Sequence, residues 1–342
     1  MNRNQPYYVK QSGGGICQKR MNTMIYYLFP KCLIEISASQ IHVSRHDNTC
    51  NQIISPSQYH YMQEIKTRIQ ACEHWNRVNL NPYANLNDIS NIANVNLAFY
   101  EILELYSIMH FSWTNFYKLN TLHFGKNGDM TAKAFQYIRN CPKHDSNTVI
   151  VDSSKNHHLD HTKKIDVAFC DASLCDHEYE NGIEILKQFL VVLVLQKQKG
   201  ACIIKLGDTY TLFSLDIISF MSHFYEKTYF MKPSVSDLTT CEKFIVCKNF
   251  LHDKLSEDVL KTIFTLHTDI LNQQQNHPNP IQRIFRNKMP LFVSSKLEEI
   301  NSIFGQPRLE YISQLITQTE KHHDIKNNNK RKCVDWCSKY LL

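Results

Sequence analysis

Glycine is scarce in this chain, with nine residues in 342 against roughly 7% in average proteins. The glycines that remain are therefore informative. Three stand at 13–15, and Gly125, Gly128, Gly182, Gly200 and Gly207 fall in one central stretch. Long apolar runs are absent too. The longest, Phe189 to Leu195, has seven residues, whereas a membrane-spanning helix needs about 20. No membrane partner is therefore expected. The start Met1-Asn-Arg-Asn-Gln-Pro lacks the apolar core of a signal peptide. No C-x-x-C occurs among the twelve cysteines. With no secretory signal, these read as reduced, mostly buried thiols of a cytoplasmic protein. Charge of one sign does not dominate: 38 basic and 32 acidic residues give +6, which permits a nucleic-acid partner without requiring one. Abundant Asn, Ile, Lys and Tyr read as the codon bias of an AT-rich genome, viral or parasitic.

What is present is an ordinary share of hydrophobic residues, 43%, enough for a sizeable core. Residues 1–90 read as an N-terminal extension. They contain a flexible Gln11-Ser-Gly-Gly-Gly15, short strand candidates at 26–29 and 32–37, a helix over 56–77 and an Asn-rich loop over 79–96. A helix follows at 95–110. Strands and helices then alternate: strands at 119–124, 148–152, 165–171, 200–205, 227–231 and 242–247, with helices at 130–139, 179–196 and 212–224. Such alternation predicts an α/β fold, a mostly parallel Rossmann-like sheet covered by helices, over residues 91–250. Residues 251–320 read as a helical C-terminal segment, and 321–342 as a basic tail with six basic and two acidic residues, expected to fray.

In open α/β sheets ligands sit beyond the carboxyl ends of the strands. Phe124-Gly125-Lys-Asn-Gly128-Asp129 ends one strand and opens a helix with Asp129 as its expected cap. Asp152 ends the next strand and has the placement of an acid that takes ribose hydroxyls. Asp171 and Lys205 end two further strands and Glu242 begins a later one. A lysine after the buried-type run Gly200-Ala-Cys-Ile-Ile is poorly placed as a solvated charge. Among carboxylates it can act as a general base, orient a hydroxyl, or simply form a structural ion pair. The run Asn156-His-His-Leu-Asp-His161 with Cys170 and Cys175 offers zinc-ligand types at no familiar spacing, and reads as a solvated loop. Cys333-Val-Asp-Trp-Cys337 reads as one helical face. No metal is expected.

Gly200 to Lys205, Phe220-Met-Ser-His-Phe-Tyr-Glu226, Met231-Lys-Pro-Ser234 and Thr240-Cys-Glu242-Lys-Phe-Ile-Val-Cys-Lys-Asn249 together resemble the back half of the FtsJ-like (RrmJ-type) RNA ribose 2′-O-methyltransferases. The front half, Leu122 to Gly125 and Thr148 to Asn156, looks most like the nidovirus members. The 212–275 stretch looks like the cap methyltransferases of large cytoplasmic DNA viruses. The resemblance covers roughly residues 60–275. It implies a methyltransferase sheet with one antiparallel strand, S-adenosylmethionine as methyl donor and capped mRNA as substrate, in a virus-associated cytoplasmic setting. It also implies a Lys-Asp-Lys-Glu tetrad, with Asp171, Lys205 and Glu242 in its last three places. Gly125, Gly128, Asp152 and Asp171 would then line the donor pocket.

The chain departs from that pattern in three ways. The first lysine position, matched through Ala98-Phe-Tyr-Glu101-Ile, is Glu101, and no lysine lies over 95–110. The compact glycine turn is interrupted by Lys126 and Asn127. The segment between Asp152 and Asp171 is short. Two readings follow: an RNA cap-ribose 2′-O-methyltransferase, or a silent relative that binds RNA and assembles with a transcription or capping machine. A Glu101–Lys205 ion pair is expected. Lys66 or Lys118 in the vacant place would favour activity, and Lys126 is expected to fold over the donor cavity.

Overall fold

The computed structural model describes residues 25–32, 39–44, 52–71, 81–109, 117–140, 144–150, 163–172, 177–276, 281–317 and 322–341. The central sheet contains seven strands. They are β1 (Ile25–Phe29), β3 (Asn120–Phe124), β4 (Ser146–Ile150), β5 (Ile165–Asp171), β6 (Gln196–Leu206), β7 (Tyr225–Lys232) and β8 (Lys243–Phe250), in the order β1-β7-β8-β6-β5-β3-β4. β4, β3, β5 and β6 pair in parallel. β8 is antiparallel to β6 and β7, and β1 is antiparallel to β7. The single reversed strand expected within the α/β region is β8. The N-terminal segment adds a second, β1, so its described part is built into the sheet and does not stand apart from it.

The central strands are buried on both faces, as parallel sheets covered by helices must be. Gly200 to Leu206 are buried throughout. Helices α5 (Glu178–Leu195) and α6 (Leu212–Phe224) cover one face with Leu186, Phe189, Leu193, Phe220 and Phe224. On the other face lie α3 (Leu97–Met109) and α4 (Gly128–Ile138), packed through Phe99, Leu103, Phe135, Phe169 and Ile203. α3 is buried nearly all round. Its outer side is covered in turn by α2 (Leu86–Ser90) and α9 (His322–Tyr340).

Around this core stand α1 (Pro56–Ala71), α7 (Glu257–Asn276) and α8 (Leu291–Thr317). A two-stranded sheet pairs β2 (Ile41–Ser44) with β9 (Arg283–Phe285). Neither its pairing nor α2 follows from the sequence pattern, since both are short and lack a period. Asp216 fastens β9 from α6, accepting bonds from Arg283 Nε and from the backbone N–H groups of Ile284 and Phe285.

The basic tail does not fray over its described residues. Cys333 and Trp336 of α9 are buried, which supplies the apolar face that charge content alone conceals. Cys333 to Cys337 thus form part of a packed helical face. Seven described cysteines are free thiols, five of them buried.

Candidate functional site

The carboxyl ends of β5 and β6 and the start of β8 meet at one edge because β8 runs opposite to its neighbour. Asp171 and Lys205 are register partners across β5 and β6, and Lys205 faces Phe244 across β6 and β8. Side chains two apart on a strand share a face. Phe169, Asp171, Ile203, Lys205 and Phe244 therefore line one cleft, together with Ala98, Glu101 and Ile102 from the α3 face above it.

Lys205 is the hub. Its Nζ lies 3.2 Å from Glu101 Oε2 and 3.0 Å from Glu242 Oε2, and 5.8 Å from the centre of the Phe244 ring. Glu101 is fully buried and its Oε1 accepts a 2.6 Å bond from Ser236 Oγ. Asp171 faces the same ammonium electrostatically, and its Oδ2 accepts a 2.7 Å bond from Asn127 Nδ2. The tetrad that the resemblance implies would balance two ammoniums against two carboxylates. Here one ammonium meets three carboxylates.

Burial alone would lower the Lys205 pKa. The attraction of Glu101, then Glu242, then Asp171 outweighs it and raises the value above that of an ordinary lysine. Burial pushes the Glu101 carboxyl up, opposed by Lys205 and Ser236. These two directions pull against each other within one pair. The ammonium decides it: Lys205 has three acids around it, and both Glu101 oxygens accept from donors. The pair is ionic at neutral pH. A lysine beside a second ammonium is pushed toward its neutral form; beside Glu101 it is held as a cation. Lys205 can therefore donate hydrogen bonds and orient a hydroxyl, but it is a poor proton acceptor. Asp171 is also pushed up by burial, which Lys205 and Asn127 offset.

Neither candidate substitute for the missing lysine reaches this place. Lys66 and Lys118 are exposed and do not line the cleft. Among the described residues no other lysine lines it.

The turn after β3 explains the surviving glycines. Gly125 has φ +86, and a Cβ there would meet the Asp171 carbonyl oxygen at 1.8 Å. Only glycine fits. A Cβ at Gly128 would press on Val149 at 2.9 Å. Gly125 thus packs the turn directly onto β5. α4 begins at Gly128, so Asp129 lies in its first turn and not at its cap. Asn127 holds the cap position, yet its side chain makes no capping bond. It points to Asp171 instead, and its Oδ1 accepts from Asn96 Nδ2 at 3.0 Å. Asn127, and not Lys126, reaches over the cleft; Lys126 is exposed. Asp152, His157, His158, His161 and Cys175 lie outside the described residues. Among the described residues no group of three or more His, Cys, Asp or Glu is arranged to hold a metal ion, and no helix is long and apolar enough to cross a membrane.

As a cradle for S-adenosylmethionine, the described residues fit poorly. Asp171 Oδ2 is taken by the Asn127 side chain, and Gly125 leaves no gap between turn and strand.

Sequence reasoning missed Ser236 and Asn127. It also missed Glu104, one turn beyond Glu101, which is buried and accepts bonds from Ser234 and Val235 on the loop that follows β7. The spacing of Glu101 and Glu104 on an apolar helix was the available signal, since two acids on a buried face require partners.

The FtsJ-like methyltransferase family model matches residues 103–250. The mouse protein "Cap-specific mRNA (nucleoside-2'-O-)-methyltransferase 1" is 27% identical over 182 residues, 51% of this chain and 21% of its own length. The Drosophila melanogaster protein of the same name is 25% identical over 100 residues, 29% of this chain and 13% of its own length. The chain thus spans about a fifth or less of these relatives. Neither of them is viral. The matched region contains β3 to β8 and carries Asp171, Lys205 and Glu242. It begins two residues after Glu101, whose place beside Lys205 comes from the geometry. Residues 103–250 belong to the FtsJ-like methyltransferase family.

Proposed function

We propose that this chain is an RNA-binding subunit with a methyltransferase fold, acting in a capping or transcription assembly, and that its centre no longer transfers methyl groups. One observation carries the proposal: Glu101 lies 3.2 Å from Lys205 where the family places an ammonium. That reversal holds Lys205 protonated, so no neutral amine is available to take the ribose 2′-hydroxyl proton. The bond from Asn127 to Asp171 supports the same reading on the donor side. Capped RNA as the ligand, S-adenosylmethionine as a lost or weak ligand, and a viral setting all belong to this proposal.

An active cap 2′-O-methyltransferase is the second reading. The gathering of Asp171, Lys205 and Glu242 at one sheet edge favours it, as do the names of the two relatives.

One experiment separates them. Purified protein is incubated with capped RNA and labelled S-adenosylmethionine, and RNA binding is followed in parallel across a salt series. The proposal expects no methyl transfer and salt-dependent RNA binding. Transfer that disappears in Lys205→Ala would establish the second reading. Absence of RNA binding at low salt would overturn the RNA-binding role.

A further inference from the structure

We infer that Glu104 is a positioning residue, and that the C-terminal helix α9 is a working part of the site because it holds Glu104. This concerns how the centre is built and does not rest on whether it turns over.

Glu104 is fully buried and both its oxygens are occupied. Oε1 accepts from Ser234 N at 2.8 Å. Oε2 accepts from Ser234 Oγ at 2.9 Å, from Val235 N at 3.3 Å and from the Trp336 indole Nε1 at 2.9 Å. Burial pushes its pKa up, and these donors pull it down. Three of the four partners are N–H groups that can only donate, an arrangement that favours the carboxylate. The anchored segment continues into Ser236, whose hydroxyl donates to Glu101, which in turn accepts from Lys205. A chain of hydrogen bonds therefore runs from α9 through Glu104 and the loop at 233–236 to Glu101 and Lys205.

α9 is fitted for this and is not merely laid on the surface. Trp336 meets Tyr100 edge-on, with ring centres 5.5 Å apart, and leans on Tyr340 at 5.0 Å. Cys333 is buried against Pro82 O, 3.5 Å away. Tyr100 is itself fixed by Asn87 and Ser90. Among the described residues the indole N–H is the only donor to Glu104 that comes from outside the loop, and it reaches the buried carboxylate only when α9 is seated. α9 lies beyond the region that matches the family.

The test compares full-length wild type with Glu104→Gln and Trp336→Phe. The glutamine puts an amide that donates where donors converge. The phenylalanine keeps an aromatic ring against Tyr100 and removes only the N–H. Two readouts are taken: amide hydrogen exchange of Ser234 and Val235, and the NMR signal of the Lys205 ammonium, identified by its loss in Lys205→Met. The expected result is exchange at 234–235 at least tenfold faster in Glu104→Gln and several-fold faster in Trp336→Phe, with a shifted or broadened Lys205 signal in both. Amides in the middle of β5 and β6 should exchange as in wild type. Ser236→Ala should abolish the further effect of Trp336→Phe on the Lys205 signal, since the chain is then already cut. Unchanged exchange at 234–235 in Trp336→Phe would overturn the role of α9. Faster exchange with an unchanged Lys205 signal would reduce Glu104 to a loop anchor and overturn its positioning role. If Glu104→Gln fails to fold, Trp336→Phe carries both readouts alone.

Discussion

Replacing Lys205 by methionine tests the electrostatics of the centre most directly. Methionine keeps most of the side-chain length and removes the charge. Glu101 is fully buried, Glu242 is a quarter exposed, and both now lack their cation. At an effective dielectric near 20, two unit charges 3.2 Å apart attract by about 5 kcal/mol. Breaking one partner of a buried pair is measured at about 3–5 kcal/mol, because the remaining charge is stranded. Lys205→Met should therefore cost about 3–5 kcal/mol at pH 7 in urea unfolding followed by circular dichroism. Glu101 without its cation will have a folded-state pKa further above its unfolded value, so the folded protein binds the proton more tightly. Stability of this variant should then rise as pH falls through that folded value, narrowing the gap to wild type. The double variant Lys205→Met with Glu101→Leu removes both charges and should recover most of the loss. A single-variant cost below about 1 kcal/mol, or a double variant no better than the single, would refute a buried ion pair between these residues.

Three further outcomes are expected. His123 is buried, bonded to Thr121 and Thr131 and stacked on Phe169, and burial lowers its pKa to about 3. The unfolded chain takes up a proton below about pH 6.5 that the folded one refuses, so the His123 contribution should fall by about 1.4 kcal/mol per pH unit on acidification, and His123→Phe should flatten that slope in pH-dependent unfolding. Gly125→Ala should cost about 3 kcal/mol or prevent folding, because φ is positive and the new Cβ meets backbone; wild-type melting behaviour would contradict the packing of the turn on β5. Asp145 pairs with the buried Arg139 through two bonds at 2.8 and 3.1 Å and also accepts from Leu119 N, so Asp145→Ala should cost about 3–5 kcal/mol in the same urea assay.

The strands and helices of the α/β region were legible because their signals are local. Ile165 to Asp171 and Gly200 to Lys205 are apolar runs of strand length, and Leu212 to Phe224 carries Thr211 as a true cap, whose Oγ1 accepts from Ser214 N. The Glu101–Lys205 contact was legible from a motif comparison, although the two residues are 104 apart in sequence. What stayed hidden depends on tertiary partners. Asn127 looks like one more polar loop residue, and its cap position would ordinarily turn its side chain inward to α4. Asp171 offers a charged acceptor, and the side chain takes that bond instead. α9 reads as a charged tail because its five Lys and Arg outnumber its two acidic residues; only Tyr100 and Glu104 on α3 show what Trp336 is for. Asp152, the acid expected to take ribose hydroxyls, lies beyond the described end of β4 at Ile150.

The placement of the charges also explains why the fold tolerates the departure at position 101. A lysine there would face Lys205 with Ser236 as a hydroxyl neighbour, and the centre would need Asp171 and Glu242 to balance two ammoniums. With glutamate in that place the balance shifts to one ammonium among three acids, and each acid has acquired a dedicated donor: Ser236 on Glu101, Asn127 on Asp171, and Lys205 itself on Glu242. An isolated buried carboxylate would be unstable; a carboxylate with its own donor is not. The cluster is therefore internally satisfied without any bound ligand, which stabilises the folded chain but leaves little electrostatic demand for a substrate hydroxyl or a cationic methyl donor. On the proposed reading, restoring methyl transfer requires more than Glu101→Lys, since that change alone would leave Asn127 holding Asp171 in the present arrangement. Glu101→Lys combined with Asn127→Gly is the smallest change that returns the charge balance and frees Asp171 from the Asn127 side chain. Methyl transfer to capped RNA by that double variant, absent from either single variant, is the expected outcome. Transfer by Glu101→Lys alone would show that Asn127 does not obstruct the donor side.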